Sequence, residues 1–303
     1  VEYDQEYYHG NSYRRTANVT IIKNLTKRLI ETVDCGMWNS WSTKDDVVKD
    51  GIRNGIILGK KLKVRSEERS TKFNRLRSGK IDKRMIANAG FGVEAIFEKI
   101  ESFAYNPGII HISIDNSGSM SGDKFYNATS TAIAIAKACD MIENMDCVIS
   151  FRAGSNFGND NSYNAVMLIA YDSRKHGMAQ IKTCFPKLCV SGSTPEGLCF
   201  DAIMKDILDA SRGKDAYFVN MSDGCPYFDS YYGEGAFKHT RNQVKKMQKE
   251  GIKVISYFIG SSYLSDSDNI NFRKMYGKEA QFIDTKKITE VAKTMNKKFL
   301  EIA

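Results

Sequence analysis

Residues 108–114, GIIHISI, form an uninterrupted apolar run that is followed at once by Asp115-Asn116-Ser117-Gly118-Ser119. A run without polar alternation suits a strand covered on both faces, as in a parallel sheet. Parallel neighbours need crossover connections, and the rest of the sequence supplies them. Apolar strand-like segments recur at 146–152, 165–171, 216–222 and 252–260, with a short one at 280–284. Helix-like stretches lie at 123–143, 173–183, 196–211, 234–250 and 287–302. The alternation predicts an α/β fold over residues 107–303: a doubly wound, mostly parallel sheet with helices on both faces. Residues 260–271, GSSYLSDSDNIN, read as a polar, ligand-facing loop.

Residues 1–106 have a different character and read as a helical, basic extension. One helix is expected at 17–32 and a second at 44–62, after a Ser42-Thr43 cap. Residues 95–105 alternate and are expected to pair as a hairpin with the first core strand, tying the extension to the sheet. The chain carries a formal net charge of +8, and residues 1–107 hold 20 Lys/Arg against 14 Asp/Glu, so most of the excess sits there. Its densest stretch is 60–84, KKLKVRSEERSTKFNRLRSGKIDKR. Two readings stand for that stretch: a solvated helix and loop, or a face for an acidic partner or nucleic acid.

No stretch approaches the roughly 18 to 20 apolar residues of a membrane helix, so no membrane association is expected. The first residues lack the apolar core of a secretory signal. The chain begins at Val1, which fits a processed form or a fragment. Its seven cysteines, Cys35, Cys139, Cys147, Cys184, Cys189, Cys199 and Cys225, include no C-x-x-C pair. An odd count without such pairs argues against a disulfide framework or zinc site and for a reducing, cytoplasmic compartment. The four histidines, His9, His111, His176 and His239, make no metal or catalytic spacing, and His111 is expected to be a core or sheet-face residue.

The chemistry concentrates after the first core strand. Asp115, Ser117 and Ser119 occupy alternate positions, so one carboxylate and two hydroxyls can point the same way at the carboxyl end of a strand, where open α/β sheets place ligands. Gly118 allows the tight turn between the serines. Two further pieces fall on the same sheet edge: Thr194 in Ser191-Gly192-Ser193-Thr194-Pro195, opening a helix, and Asp223 in Ser222-Asp223-Gly224, ending a strand. A compact, hydroxyl-rich oxygen set of this kind suits Mg²⁺, with Mn²⁺ and Ca²⁺ left open.

The D-x-S-G-S-M, G-S-T-P and S-D-G pieces together resemble the metal-ion-dependent adhesion site of von Willebrand factor A (vWA) domains. That resemblance implies direct coordination by Ser117 and Ser119, with Asp115 and Asp223 acting largely through water. It implies that Thr194 binds directly or through water according to conformational state, and that a carboxylate from a partner protein fills the open position. The flanking stretches IDNSGSMSGDKF, RLRSGKIDKR and MSDGCPYFDSYYGEGAFKHTRNQVKKMQKEGIKVISYFIGSSY are similar to the T subunit of aerobic cobalt chelatase, a CobT-like family with members in large bacteriophages. Residues 1–59 lie outside that resemblance.

The expectation for function follows from it: a metal-dependent protein-binding adaptor that works with a MoxR/CobS-type AAA+ ATPase on a client. The same resemblance implies a ring-forming oligomer and a chelatase-like complex in which this subunit is not catalytic. The chain has no G-x-x-x-x-G-K-[ST] loop for hydrolysing ATP itself, and no general base or nucleophile stands beside the metal motif. The alternatives are a stand-alone adhesion or assembly module, such as a virion protein, and a nucleic-acid-binding vWA protein that uses residues 60–84.

Overall fold

The computed structural model describes residues 2–9, 13–67, 70–102, 107–157, 163–260 and 266–284. The chain opens with β1 (Glu2–His9) and β2 (Tyr13–Ile22), then α1 (Lys27–Thr32) and α2 (Asp45–Glu67). Next come β3 (Ser70–Leu76), β4 (Lys80–Ile81), α3 (Ile86–Ala89) and β5 (Phe97–Ser102). The apolar run becomes β6 (Gly108–Asp115), followed by α4 (Asp123–Asp140), β7 (Met145–Asn156), β8 (Tyr163–Asp172), α5 (Met178–Cys184) and α6 (Glu196–Ala210). The chain continues through β9 (Asp215–Ser222), β10 (Tyr227–Phe228), β11 (Tyr231–Tyr232), α7 (Gly233–Lys249), β12 (Lys253–Gly260), α8 (Asp266–Tyr276) and β13 (Ala280–Asp284).

Eight strands make one sheet in the order β1-β2-β8-β7-β6-β9-β12-β13. From β7 through β6, β9 and β12 to β13 every pairing is parallel, while β8 runs antiparallel to β7. The expected α/β architecture, with a mostly parallel sheet, is therefore present, and the β7–β8 pairing is an antiparallel one within it. Every residue of β6 is buried. One core cluster lies against α2, α4 and α5 and contains Ile112, Ile114, Phe125 and Ile133; the other lies against α6, α7 and α8 and contains Phe200, Phe218, Met247 and Phe272. Strands covered on both faces in this way need the continuous apolar character that β6 shows.

The amino-terminal region departs further from expectation. Residues 17–32 do not form a single helix, because 17–22 belong to β2. Ala17, Val19 and Ile21 enter one core cluster and Ile22 the other, which is the two-residue period of a strand. The β-branched run Val19-Thr20-Ile21-Ile22 favours that outcome. The helix begins only after Thr26, whose side chain accepts the Leu29 N–H as an N-cap. β2 pairs in parallel with β8, Val19 opposite Ala165. Leu25, Ile30, Trp38, Val47 and Val48 join the same cluster as Ile112. The boundary drawn at 106/107 thus cuts through a shared core.

The helix expected at 44–62 is present and longer. The described part of 95–105, which forms β5, does not pair with β6, because both edges of β6 are taken by β7 and β9. Instead β5 sits between β3 and β4 in a separate three-stranded sheet, which accounts for much of the basic stretch 60–84. The polar segment 260–271 is not all loop, since α8 starts at Asp266. The helix expected at 287–302 lies outside the described residues. No helix among the described residues is long and apolar enough to cross a membrane.

Candidate metal centre

β6 and β9 are neighbours in parallel register, Ile114 opposite Met221, so their carboxyl ends deliver Asp115 and the Ser222-Asp223 pair side by side. The α4 helix starts after Gly122, whose φ of +80° is a conformation that suits glycine. The turn between β6 and α4 exposes Ser119 while Ser117 stays buried. The third piece arrives through backbone hydrogen bonds. Gly118 N donates to Gly192 O at 3.0 Å, and Thr194 exchanges two bonds with Tyr227, at 2.8 and 3.0 Å. Gly192 has φ of +54°, and a Cβ there would run into the Gly154 carbonyl, so the close approach of these loops needs glycine.

The five residues singled out by sequence converge. Asp115 is fully buried; its Oδ1 accepts the Ser117 N–H at 2.9 Å and its Oδ2 accepts the Ser222 hydroxyl at 2.9 Å. Thr194 Oγ1 lies 3.4 Å from the same Oδ2. Ser117 Oγ is 3.0 Å from Ser119 Oγ, and the Ser119 hydroxyl donates to Asp223 Oδ1 at 2.7 Å. Two carboxylates and three hydroxyls from three loops thus form one continuous oxygen cluster, buried at Asp115, Ser117 and Thr194 and open at Ser119. A hard cation with oxygen preference fits this donor set. Among the described residues no group of three or more His, Cys, Asp or Glu is placed to hold a metal, so the cluster's donors are mainly hydroxyls.

Burial pushes the Asp115 pKa above the ordinary carboxylate value, opposed first by the Arg152 guanidinium and then by the Ser117 N–H. Arg152 is wholly buried beneath the site. It donates to Glu196 Oε1 at 2.7 Å, to Ser113 O at 3.1 Å and to Ser113 Oγ at 3.0 Å. Its guanidinium also stands 5.2 Å from the Phe200 ring centroid. Asn220 donates to the same Glu196 oxygen and to the Tyr276 hydroxyl, both at 2.9 Å. Glu196 is in the first turn of α6, two residues after Thr194, so this buried ion pair anchors the loop that carries Thr194.

Sequence reasoning missed three of these participants. Ser222 was visible beside Asp223 but not as a ligand of Asp115. Arg152 ends the strand-like segment 146–152 and was not singled out there. Lys124 lies at the start of α4, and its ammonium donates to Asp223 Oδ2 and, at 3.2 Å, to Ser119 O.

His111 and His239 find their partners outside the five-residue cluster. His111 Nε2 lies 2.8 Å from Ser150 Oγ, which is itself 3.2 Å from Ile112 O, so the ring has a buried hydroxyl partner. His239 bonds the Tyr231 hydroxyl. All seven cysteines are free thiols.

No protein-family model matches the sequence, and no curated protein sequence matches it. Solved structures do. The pilus adhesin SpaC from Lactobacillus rhamnosus GG is similar with a TM-score of 0.48 and 11% identity, covering 66% of this chain and 31% of the adhesin. This chain therefore spans less than a third of that protein. Manganese-loaded TRAP protein of Plasmodium vivax gives a TM-score of 0.44 and 10% identity over 64% of this chain and 73% of its own. The VWA domain of SpRpn10 gives 0.42 and 14%, over 58% and 87%.

Proposed function

We propose that this chain is a metal-dependent protein-binding module of the vWA type. Asp115, Ser117, Ser119, Thr194 and Asp223 would hold one hard divalent cation, Mg²⁺ before Mn²⁺ or Ca²⁺. The observation that carries the reading is the convergence of these five oxygen donors, from three loops, at the carboxyl edge of a parallel sheet. When bound, the cation supplies a positive centre for a partner's carboxylate. The chain's own residues do the rest: Ser222 and the Ser117 N–H orient Asp115, the Arg152–Glu196 pair fixes the Thr194 loop, and Ser119 keeps one side open.

The finer reading is an adaptor for a MoxR-type AAA+ ATPase, in the manner of a cobalt-chelatase T subunit. Its support is the likeness of residues around Asp115 and Asp223. Exposed apolar side chains also stand on the small three-stranded sheet, Phe73 and Ile81 on the face that carries Lys99, and Ile100 on the opposite face beside Lys72, which pairs with Glu98.

Titration calorimetry with MgCl₂ tests the core of the reading. The wild-type chain binds one ion, and Asp115→Asn, which keeps the side-chain shape, binds none; equal affinity in both would sink the proposal. Affinity purification with the same two baits then tests the partner. An AAA+ ATPase recovered by the wild type and lost from Asp115→Asn supports the adaptor, whereas identical recoveries remove the metal from that interface.

A further inference from the structure

Asp223 divides its two oxygens between a serine and a lysine. Oδ1 accepts the Ser119 hydroxyl, and Oδ2 accepts the Lys124 ammonium, which also reaches the Ser119 carbonyl. The lysine is held there by the fold: α4 begins at Asp123, so residue 124 stands in its first turn directly above the loop. Its side chain is 30% exposed, and that of Asp223 only 1%. The pair is therefore largely shielded from water on the carboxylate side, where a charge contact is screened less than at an open surface. A cation is thus built into the protein against one of the two carboxylates that a divalent ion would use.

The formal charges around the cluster sharpen this point. Asp115, Asp223 and Glu196 face Arg152 and Lys124, three negative groups against two positive ones. A divalent ion would turn that deficit of one into an excess of one, which a partner's carboxylate then neutralises. Without Lys124 the loaded cluster would already be neutral, with less to offer an incoming carboxylate.

We propose that Lys124 is a competing cation that sets the loading threshold of the site. It opposes entry of the divalent ion at Asp223, and once the ion is bound it leaves the cluster with the positive charge that recruits an acidic partner. The inference rests on the metal-binding reading above and deepens it.

The test uses the full chain stripped with EDTA and compares wild type, Lys124→Met, Lys124→Arg and Asp115→Asn by Mn²⁺ titration, with free Mn²⁺ counted by electron paramagnetic resonance. Methionine keeps the aliphatic stem and removes only the charge. Removing a unit charge within a few ångströms of a divalent ion is expected to tighten binding on the order of tenfold, even at a water-like dielectric. Lys124→Arg should stay within about threefold of wild type.

Thermal melts give an independent readout: the rise in Tm on adding Mn²⁺ is larger for Lys124→Met than for wild type, whatever their starting stabilities. A Lys124→Met affinity less than threefold tighter than wild type, or weaker, overturns the role of Lys124 while leaving the metal site standing. Mn²⁺ binding that is absent from wild type, or unchanged in Asp115→Asn, overturns the metal reading and this inference with it.

Discussion

His111 and Asp115 lie four residues apart on one buried strand and answer burial in opposite ways. Desolvation raises the Asp115 pKa, whereas it lowers that of His111 to about 3, with Asp172 opposing the effect. In the unfolded chain a histidine titrates near 6.5, so between that pH and about 3 the unfolded state holds the extra proton. The stability associated with neutral His111 is complete above pH 6.5 and falls as the pH drops through that window, with a limiting slope of about 1.4 kcal/mol per pH unit. Urea unfolding of wild type and His111→Gln between pH 4 and 7.5 checks it: the difference in stability should shrink as the solution is acidified, and a constant difference refutes it. At this scale the sequence was most legible where chemistry forces spacing. Asp115, Ser117 and Ser119 announce themselves by alternation, and Thr194 and Asp223 by their places at element ends. Ser222, Arg152 and Lys124 did not, because each acts through another residue, and a partner 44 to 107 positions away leaves no local pattern.

The interface between α2 and α4 turns on three glycines one helical turn apart. A Cβ on Gly51 would come 2.6 Å from Ile133 Cβ, one on Gly55 would come 2.7 Å from the Ala134 carbonyl oxygen, and one on Gly59 would come 2.7 Å from Met141 Sδ. The helices also share a hydrogen bond from the Tyr126 hydroxyl to Asp50 at 2.6 Å. Alanine in a helix interior ordinarily gains about 1 kcal/mol over glycine. At Gly55 the obstacle is backbone, which cannot rotate away, so Gly55→Ala is expected to destabilise by roughly 1–3 kcal/mol despite its propensity. Gly92, where a Cβ meets nothing within 4 Å, is a poor control because its φ is +80°; Gly177, open and without that strain, is the better one. Chemical denaturation of Gly55→Ala and Gly177→Ala decides the matter, and a stabilised Gly55→Ala would show that the helices separate freely. The existence of α2 was legible in the sequence, but its destination was not, since nothing in 44–62 says which helix its glycines meet. The strand at 17–22 was misread for a related reason: a short apolar run satisfies either period, and only pairing with β8 settles it.

Residues 107–303 read in sequence as a doubly wound α/β unit joined to the extension by a hairpin, and the alternation of strands and helices around β6 is present. It could not show that the sheet extends to β2 and β1 beyond β8, because sheet edges are completed by whatever strand reaches them. A chain cut to begin at Pro107 would expose Leu168, Val166 and Tyr171 where β2, Leu25, Trp38 and Val47 now cover their cluster. Such a truncation is expected to lose the cooperative melt of the full chain, as followed by near-ultraviolet circular dichroism; a sharp transition at an unchanged Tm would show instead that the first 106 residues are dispensable. The same pairing bears on how the protein is made. Val19 leaves the ribosome about 146 residues before its partner Ala165. At synthesis rates of about 5–20 residues per second, β2 therefore waits roughly 7 to 30 seconds with its Val-Thr-Ile-Ile edge unpaired. During that interval β2 has only β1 to pair with and its second edge stays open, which makes the first two dozen residues the segment on which chaperone capture or misassembly with a neighbouring chain would act.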